Sequence, residues 1–177
     1  MFGSFNALSK LTDRVVSLWS EIVNAVPGSG LLLKASALSD ETADSDTRAR
    51  FERAGLAPER LTLMGWVREE PMLLYDRVDV ALDPFPYNGA TTTCEALWMG
   101  VPVVALEGTT HAGRVGASLL RHAGLPELLT STCDEYAGRA AELIRDRARL
   151  AGYRQSLRAR VGIDVRMVYY TGAGIGQ

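Results

Sequence analysis

The sequence predicts an α/β fold: a parallel sheet with helices on both faces. Three observations carry the prediction. Short apolar segments without polar alternation recur at residues 31–33, 78–82 and 101–106, the signature of strands buried on both faces. Helix-like segments separate them, as crossover connections require. The strand over residues 78–82 runs into a Pro/Gly turn and then into three threonines that open a helix. Ligands of such sheets bind outside the carboxyl ends of the strands.

The elements follow in order. A strand-like stretch covers residues 1–5. Residues 12–25 read as a helix, because Val15, Val16, Leu18, Trp19, Ile22, Val23 and Val26 recur at helical spacing. Thr12 is a suitable N-cap and Pro27-Gly28 a stop. Leu31-Leu32-Leu33 is a short buried strand. A polar helix over residues 40–54 ends at Gly55, and residues 61–66 form the next strand. A helix over residues 69–77 leads to the strand at 78–82, and a helix over 92–99 closes at Gly100. Residues 101–106 are a strand, a Gly/Thr loop follows, and residues 112–122 are a helix. Leu128-Leu129-Thr130 is a short strand before helices over 134–145 and 148–161. Trp66 and Trp98 read as core. Residues 1–161 therefore form one domain, and residues 162–177 an irregular tail that fits no further amphipathic element. Gly172-Ala173-Gly174-Ile175-Gly176 mimics part of a dinucleotide fingerprint, but no helix follows it in the sequence.

Bulk properties narrow the class. The 177 residues are 47% hydrophobic and 23% charged, as in a soluble globular protein. Nineteen basic against 21 acidic residues give a net charge of -2, unlike a general nucleic-acid binder. The arginines between 145 and 160 are interleaved with Leu and Ala at helical spacing, which reads as a solvated helix face. No apolar run is long enough to span a bilayer, so no membrane partner is expected. The N-terminus lacks a signal-peptide pattern. Cys94 and Cys133 form no metal-ligand spacing. A cytoplasmic location is expected, and no bound metal.

The chemistry concentrates between Asp83 and Gly100. The first turn of a helix has free backbone N–H groups and a positive dipole end, so it favours phosphate. Thr91, Thr92 and Thr93 add hydroxyls there, and Gly89 lets backbone approach a ligand closely. The plainer alternative is that one threonine merely caps the helix. Glu95 can accept hydrogen bonds from ribose hydroxyls or simply complement the helix dipole. Lys10, after the first strand, can reach a diphosphate or be an ordinary surface lysine. Cys94 reads as a buried structural residue, having no evident base partner. His111, at the mouth of the next helix, is a further candidate to approach the ligand.

At these residues the chain resembles the protein O-linked N-acetylglucosamine transferase family, including its SPINDLY-like members. The matching pieces are Phe2-Gly3-Ser4-Phe5-Asn6 with Leu8-Ser9-Lys10, Asp79 through Gly89, Thr91 through Pro102, and His111 through Leu120. The resemblance implies the C-terminal half of a GT-B glycosyltransferase, a Rossmann-like domain that holds most of a nucleotide-sugar donor. It implies transfer of a sugar, in the first place N-acetylglucosamine from UDP-GlcNAc, to Ser/Thr of a protein acceptor without a metal. Lys10 would contact the diphosphate and stabilise the leaving group. Thr91 and Thr92 would bind phosphate, Glu95 the ribose, and Arg68 would lie near the nucleobase. Asn6, Asn88, Gly89, Ala90, Thr93 and His111 complete the implied donor site. The acceptor's base, the N-terminal catalytic half and any repeat domain lie outside this sequence. Ala7 and Ala90 stand where the animal enzymes carry a Gln and a His, and Pro71 where many relatives have a His near the base, which leaves base and sugar open. The Thr-Thr-Thr-Cys-Glu form is closer to SPINDLY-like members, some of which use GDP-fucose. A GDP-fucose-dependent protein O-fucosyltransferase and a non-catalytic nucleotide-sugar-binding fragment are therefore the alternatives.

Overall fold

The computed structural model describes residues 1–68 and 71–161. The expected tail at 162–177 and the start of the helix expected at residue 69 lie outside the described residues. Six strands form one sheet: β1 (Phe2–Ser4), β2 (Leu31–Lys34), β3 (Leu61–Met64), β4 (Val80–Leu82), β5 (Val103–Leu106) and β6 (Leu129–Thr130). Their order is β3-β2-β1-β4-β5-β6, and every pairing is parallel. The α-helices among the described residues are α1 (Asp13–Asn24), α2 (Glu41–Arg53), α3 (Thr91–Trp98), α4 (Val115–His122), α5 (Cys133–Arg145) and α6 (Arg147–Val161). This is the Rossmann-like α/β arrangement expected from the sequence.

Local chemistry explains the elements. Thr12 caps α1, its hydroxyl accepting the Val15 N–H at 3.3 Å. Val15, Val16, Leu18, Trp19, Ile22 and Val23 form the buried stripe of α1, which packs against α2 and α5. Asp40 caps the polar α2 through the Ala43 N–H, and Thr132 caps α5 through the Glu135 N–H. α3 packs against α4 and α6. Strands β1, β2 and β4 are buried throughout apart from Lys34, as sheets covered on both faces demand.

One expectation is refined and one corrected. The helix expected over residues 69–77 is, over Pro71–Arg77, a 3-10 helix. Its Tyr75 ring lies 4.2 Å from that of Phe5 between centroids, which packs this helix against the loop that follows β1. Trp66 is not core: its side chain is 69% exposed. β3 ends at Met64, and the Trp66 N–H is taken by Ser39 Oγ at 2.7 Å, which directs the chain away from the sheet. Trp98 is half-buried, with the Arg158 guanidinium 4.7 Å above its ring.

The strand order places the switch point between β1 and β4. From β1 the chain goes on to β2 on one side, and from β4 to β5 on the other. The carboxyl ends of β1 and β4 therefore border the crevice where this fold binds ligands. The loop after β1 brings Asn6 and Lys10 to it, and the loop after β4 brings residues 83–90.

Candidate functional site at the switch point

α3 starts without a cap. Its N-cap residue is Ala90, which makes no side-chain cap hydrogen bond to the first turn. The capping role open to the threonines is thus not used. Thr91 is exposed, Thr92 half-buried and Thr93 buried. Thr92 Oγ1 donates to Asn6 Oδ1 at 3.1 Å, which joins the β1 loop to the helix. Thr93 Oγ1 donates to the Gly89 carbonyl at 3.2 Å and lies 3.4 Å from Asp83 Oδ1. The free N–H groups and dipole of α3 point at the crevice mouth, an arrangement suited to an anion.

Lys10 supplies a cation beside that terminus. It ends a 3-10 turn over Leu8–Lys10, and its Nζ donates to the Asn88 carbonyl at 2.8 Å and to Asn6 Oδ1 at 3.4 Å. The Tyr87 ring lies 4.3 Å from the same Nζ, a cation–π contact. Partial burial lowers the Lys10 pKa, and the charge of Asp83 offsets part of that effect.

The loop between β4 and α3 is fixed from below. Asn88 is 1% exposed. Its Nδ2 donates to the Pro84 carbonyl at 3.0 Å, its Oδ1 accepts from the Gly116 N–H, and its own N–H donates to the Ala112 carbonyl. Asn88 thus fastens the loop to the turn that carries His111. Gly89 has no space for a side chain: a Cβ there would stand 2.6 Å from Thr92 Oγ1 and 2.9 Å from both Asn6 Oδ1 and Asp83 Oδ1. A narrow cleft lined by Ser4, Phe5, Asn6, Tyr75, Asp83 and Thr92 runs beneath the cluster.

The structure brings together Asn6, Lys10, Asn88, Gly89, Ala90, Thr91, Thr92 and Thr93. Glu95 is half-buried one turn into α3, where the Tyr75 hydroxyl donates to Oε2 at 3.4 Å and to the Thr92 carbonyl at 3.1 Å. His111 is exposed beside the Ala112 carbonyl that holds Asn88. Arg68 is exposed on the connection that follows β3, outside the cluster's hydrogen bonds. Cys94 is buried, and burial together with the charge of Glu95 raises its pKa. A neutral buried thiol is not an activated nucleophile.

Asp83 and Tyr75 are the residues that sequence reasoning missed. Asp83 is 1% exposed and accepts the Gly89 N–H at 2.7 Å. Burial pushes its pKa up to about 7, against the lowering effects of the Gly89 N–H, Lys10 and Thr93. Behind it, Tyr136 donates to the Asp83 carbonyl at 3.0 Å and accepts from Trp19 Nε1 at 3.2 Å. The signal available in the sequence was an acid directly after an apolar strand, a position that also suits an exposed loop residue.

Comparisons with known proteins agree with this geometry. The description "Glycosyl transferase family 41" matches residues 1–167. The chain is 41% identical over 159 residues to the "Probable UDP-N-acetylglucosamine--peptide N-acetylglucosaminyltransferase SPINDLY" of Solanum lycopersicum, covering 89% of this chain and 17% of that protein. It is 33% identical over 155 residues to the "UDP-N-acetylglucosamine--peptide N-acetylglucosaminyltransferase" of Caenorhabditis elegans, covering 87% of this chain and 13% of that one. Among solved structures, a mutant O-GlcNAc transferase of Thermobaculum terrenum superposes with a TM-score of 0.87 at 43% identity, over 97% of this chain and 34% of that one. HepE of Anabaena, crystallised with UDP and glucose, superposes at 0.69 with 20% identity over 97% of this chain and 46% of that one, a likeness of fold alone. The chain thus spans about a sixth of the length of the curated relatives it matches. With the crevice at the switch point, the uncapped α3 and the match over residues 1–167, the chain belongs to glycosyl transferase family 41.

Proposed function

We propose that this chain is the donor-binding part of a protein O-glycosyltransferase, which transfers N-acetylglucosamine from UDP-GlcNAc to Ser/Thr of an acceptor protein. The observation that carries this is the pairing of the uncapped α3 N-terminus with the Lys10 ammonium, 2.8 Å from the Asn88 carbonyl on the loop entering that helix. The relatives from tomato and nematode, both named as UDP-N-acetylglucosamine--peptide N-acetylglucosaminyltransferases, support the donor and acceptor classes.

The chemistry of these residues is electrostatic. In sugar transfer from a nucleotide diphosphate, the bond from the anomeric carbon to the phosphate oxygen breaks through an oxocarbenium-like state. The electron pair goes to the leaving diphosphate. Lys10, the amides at the start of α3 and the Thr91 hydroxyl stabilise that growing charge, and the Thr92 hydroxyl joins them by turning from Asn6 Oδ1. Glu95 holds the ribose, and Tyr75 orients its carboxylate. In this reading Arg68 serves the nucleobase and His111 approaches the donor. The acceptor and the group that takes its proton belong to the rest of the protein. The free Cys94 and Cys133 support a reducing, cytoplasmic setting.

The Thr-Thr-Thr-Cys-Glu sequence favours one second reading, GDP-fucose as donor. Calorimetric titration of UDP-GlcNAc and GDP-fucose into the chain separates the two. One of them binds, and a Lys10→Ala/Glu95→Ala variant that still folds loses affinity at least about tenfold, because each charge-assisted hydrogen bond contributes about 1.5–3 kcal/mol. Equal binding by wild type and variant sinks the site assignment. Binding without sugar transfer, even after the remaining part of the protein is supplied in trans, identifies a non-catalytic nucleotide-sugar module instead.

A further inference from the structure

We propose that Asp83 is a positioning residue of the donor site, and that it takes up a proton when a diphosphate-bearing ligand enters. The proposal rests on the donor reading above. Asp83 follows β4 directly and is 1% exposed. Its Oδ1 accepts the Gly89 N–H at 2.7 Å and lies 3.4 Å from Thr93 Oγ1. Through these two contacts one carboxylate oxygen ties the loop and the first turn of α3 to the end of the sheet.

The other oxygen does not serve the fold. Among the described residues, Asp83 Oδ2 is buried and has no hydrogen-bond partner. α4 presses on it: a Cβ at Gly116 would stand 2.7 Å from Oδ2. An ionised carboxylate left half-satisfied in such a place is costly, and such buried, perturbed acids at a cleft mark use of the charge.

The groups facing Asp83 decide which use. The segment after β1 presents Lys10, whose charge acts on Asp83. α5 presents the Tyr136 hydroxyl, which donates to the Asp83 carbonyl and whose own pKa is held well above the usual value by burial. The loop presents the Gly89 N–H, α3 presents Thr93 and α4 presents Gly116, none of which titrates. Lys10 is therefore the cation that balances Asp83 before a ligand enters. An entering diphosphate draws on the charge of Lys10 and adds negative charge beside the carboxylate. Both effects favour the neutral acid, and the proton comes from solvent to Oδ2. Oδ1 keeps its bond to Gly89 in either state, so the loop stays in place while its charge changes. Burial, net of the lowering effects of the Gly89 N–H, Lys10 and Thr93, already holds the Asp83 pKa at about 7, which brings the exchange into the neutral range.

Calorimetry in two buffers of different ionisation enthalpy, HEPES and Tris, counts the protons. The probe is whichever of UDP-GlcNAc and GDP-fucose binds, since neither diphosphate titrates near neutrality. At a pH of about 7.5 the wild type is expected to take up a fraction of a proton. Its affinity is expected to weaken about threefold to tenfold from pH ~6.5 to ~8.5, tenfold corresponding to one pKa unit between free and bound states. Asp83→Asn keeps an acceptor for Gly89 and is expected to bind with no uptake and a flat profile. His111→Ala is expected to keep the uptake. Zero uptake by the wild type across this range, or uptake that survives Asp83→Asn and vanishes in His111→Ala, overturns the proposal. Should Asp83→Asn not fold, the wild-type profile and the His111→Ala variant decide in the same way. A folded wild type that binds neither nucleotide sugar overturns the donor reading and this proposal with it, whereas binding without uptake overturns this proposal alone.

Discussion

Gly89 is where the site tolerates least. A methyl group there meets Thr92 Oγ1, Asn6 Oδ1 and Asp83 Oδ1 at 2.6–2.9 Å, all of them groups that hold the loop. Gly89→Ala is expected to destabilise the chain by about 1–3 kcal/mol through overpacking, seen as a lower melting temperature, and to weaken nucleotide binding beyond that. Asp83 makes a prediction about pH. Its folded pKa, about 7, lies above the ordinary value of 3.8. Between those values the folded chain keeps a proton that the unfolded chain has released. This contribution is therefore greatest below about pH 4 and is lost as pH rises through about 7. Three pKa units correspond to on the order of 4 kcal/mol. Between pH ~5 and ~8 the melting temperature of the wild type should fall more than that of Asp83→Asn, and equal changes would contradict the burial argument. At this scale the sequence pointed to Thr91–Thr93, Gly89 and Lys10, because helix-start chemistry and loop glycine leave a local pattern. Asp83 leaves only an ambiguous one, an acid after an apolar strand: its burial depends on contacts from α4 and α5.

The elements were legible where periodicity was strong and obscure where tertiary contacts choose among short turns. α1 follows its apolar spacing and its Thr12 cap. The 3-10 helix at Pro71–Arg77 does not, since Tyr75 is placed by Phe5 and Glu95, residues remote in sequence. Trp66 looked like core because it continues an apolar run, yet β3 stops two residues earlier. Trp66→Ala is accordingly expected to change stability by less than about 0.5 kcal/mol, as at ordinary surface positions; a large loss in a denaturant titration would return it to the core. α6 shows the opposite case, a polar helix with a structural anchor. Arg154 donates to the carbonyls of Met99 at 2.9 Å, of Tyr75 at 3.1 Å and of Val78. It thereby fastens α6 to the end of α3 and to the 3-10 helix behind the site. Arg154→Ala is expected to cost about 1.5–3 kcal/mol or more in chemical denaturation, the scale of a charged hydrogen bond.

At the scale of the whole molecule, parallel strands alternating with helices were readable from apolar runs, but their order in the sheet was not. That order, β3-β2-β1-β4-β5-β6, creates the switch point and brings Asn6 and Lys10 against residues about 80 positions later. The chain covers 17% of its tomato relative and 34% of the Thermobaculum terrenum structure. A donor crevice without its acceptor side is the corresponding expectation: nucleotide binding by this chain, and transfer only with the remaining part. The most direct test of the central claim is an amide NMR titration of the isotope-labelled chain with UDP and GDP. The account predicts saturable shifts centred on Gly89, Ala90, Thr91, Thr92 and Thr93, lost in Lys10→Ala. Shifts centred elsewhere, such as the groove of Arg50 and Arg53 between α1 and α2, or none at millimolar nucleotide, would contradict it.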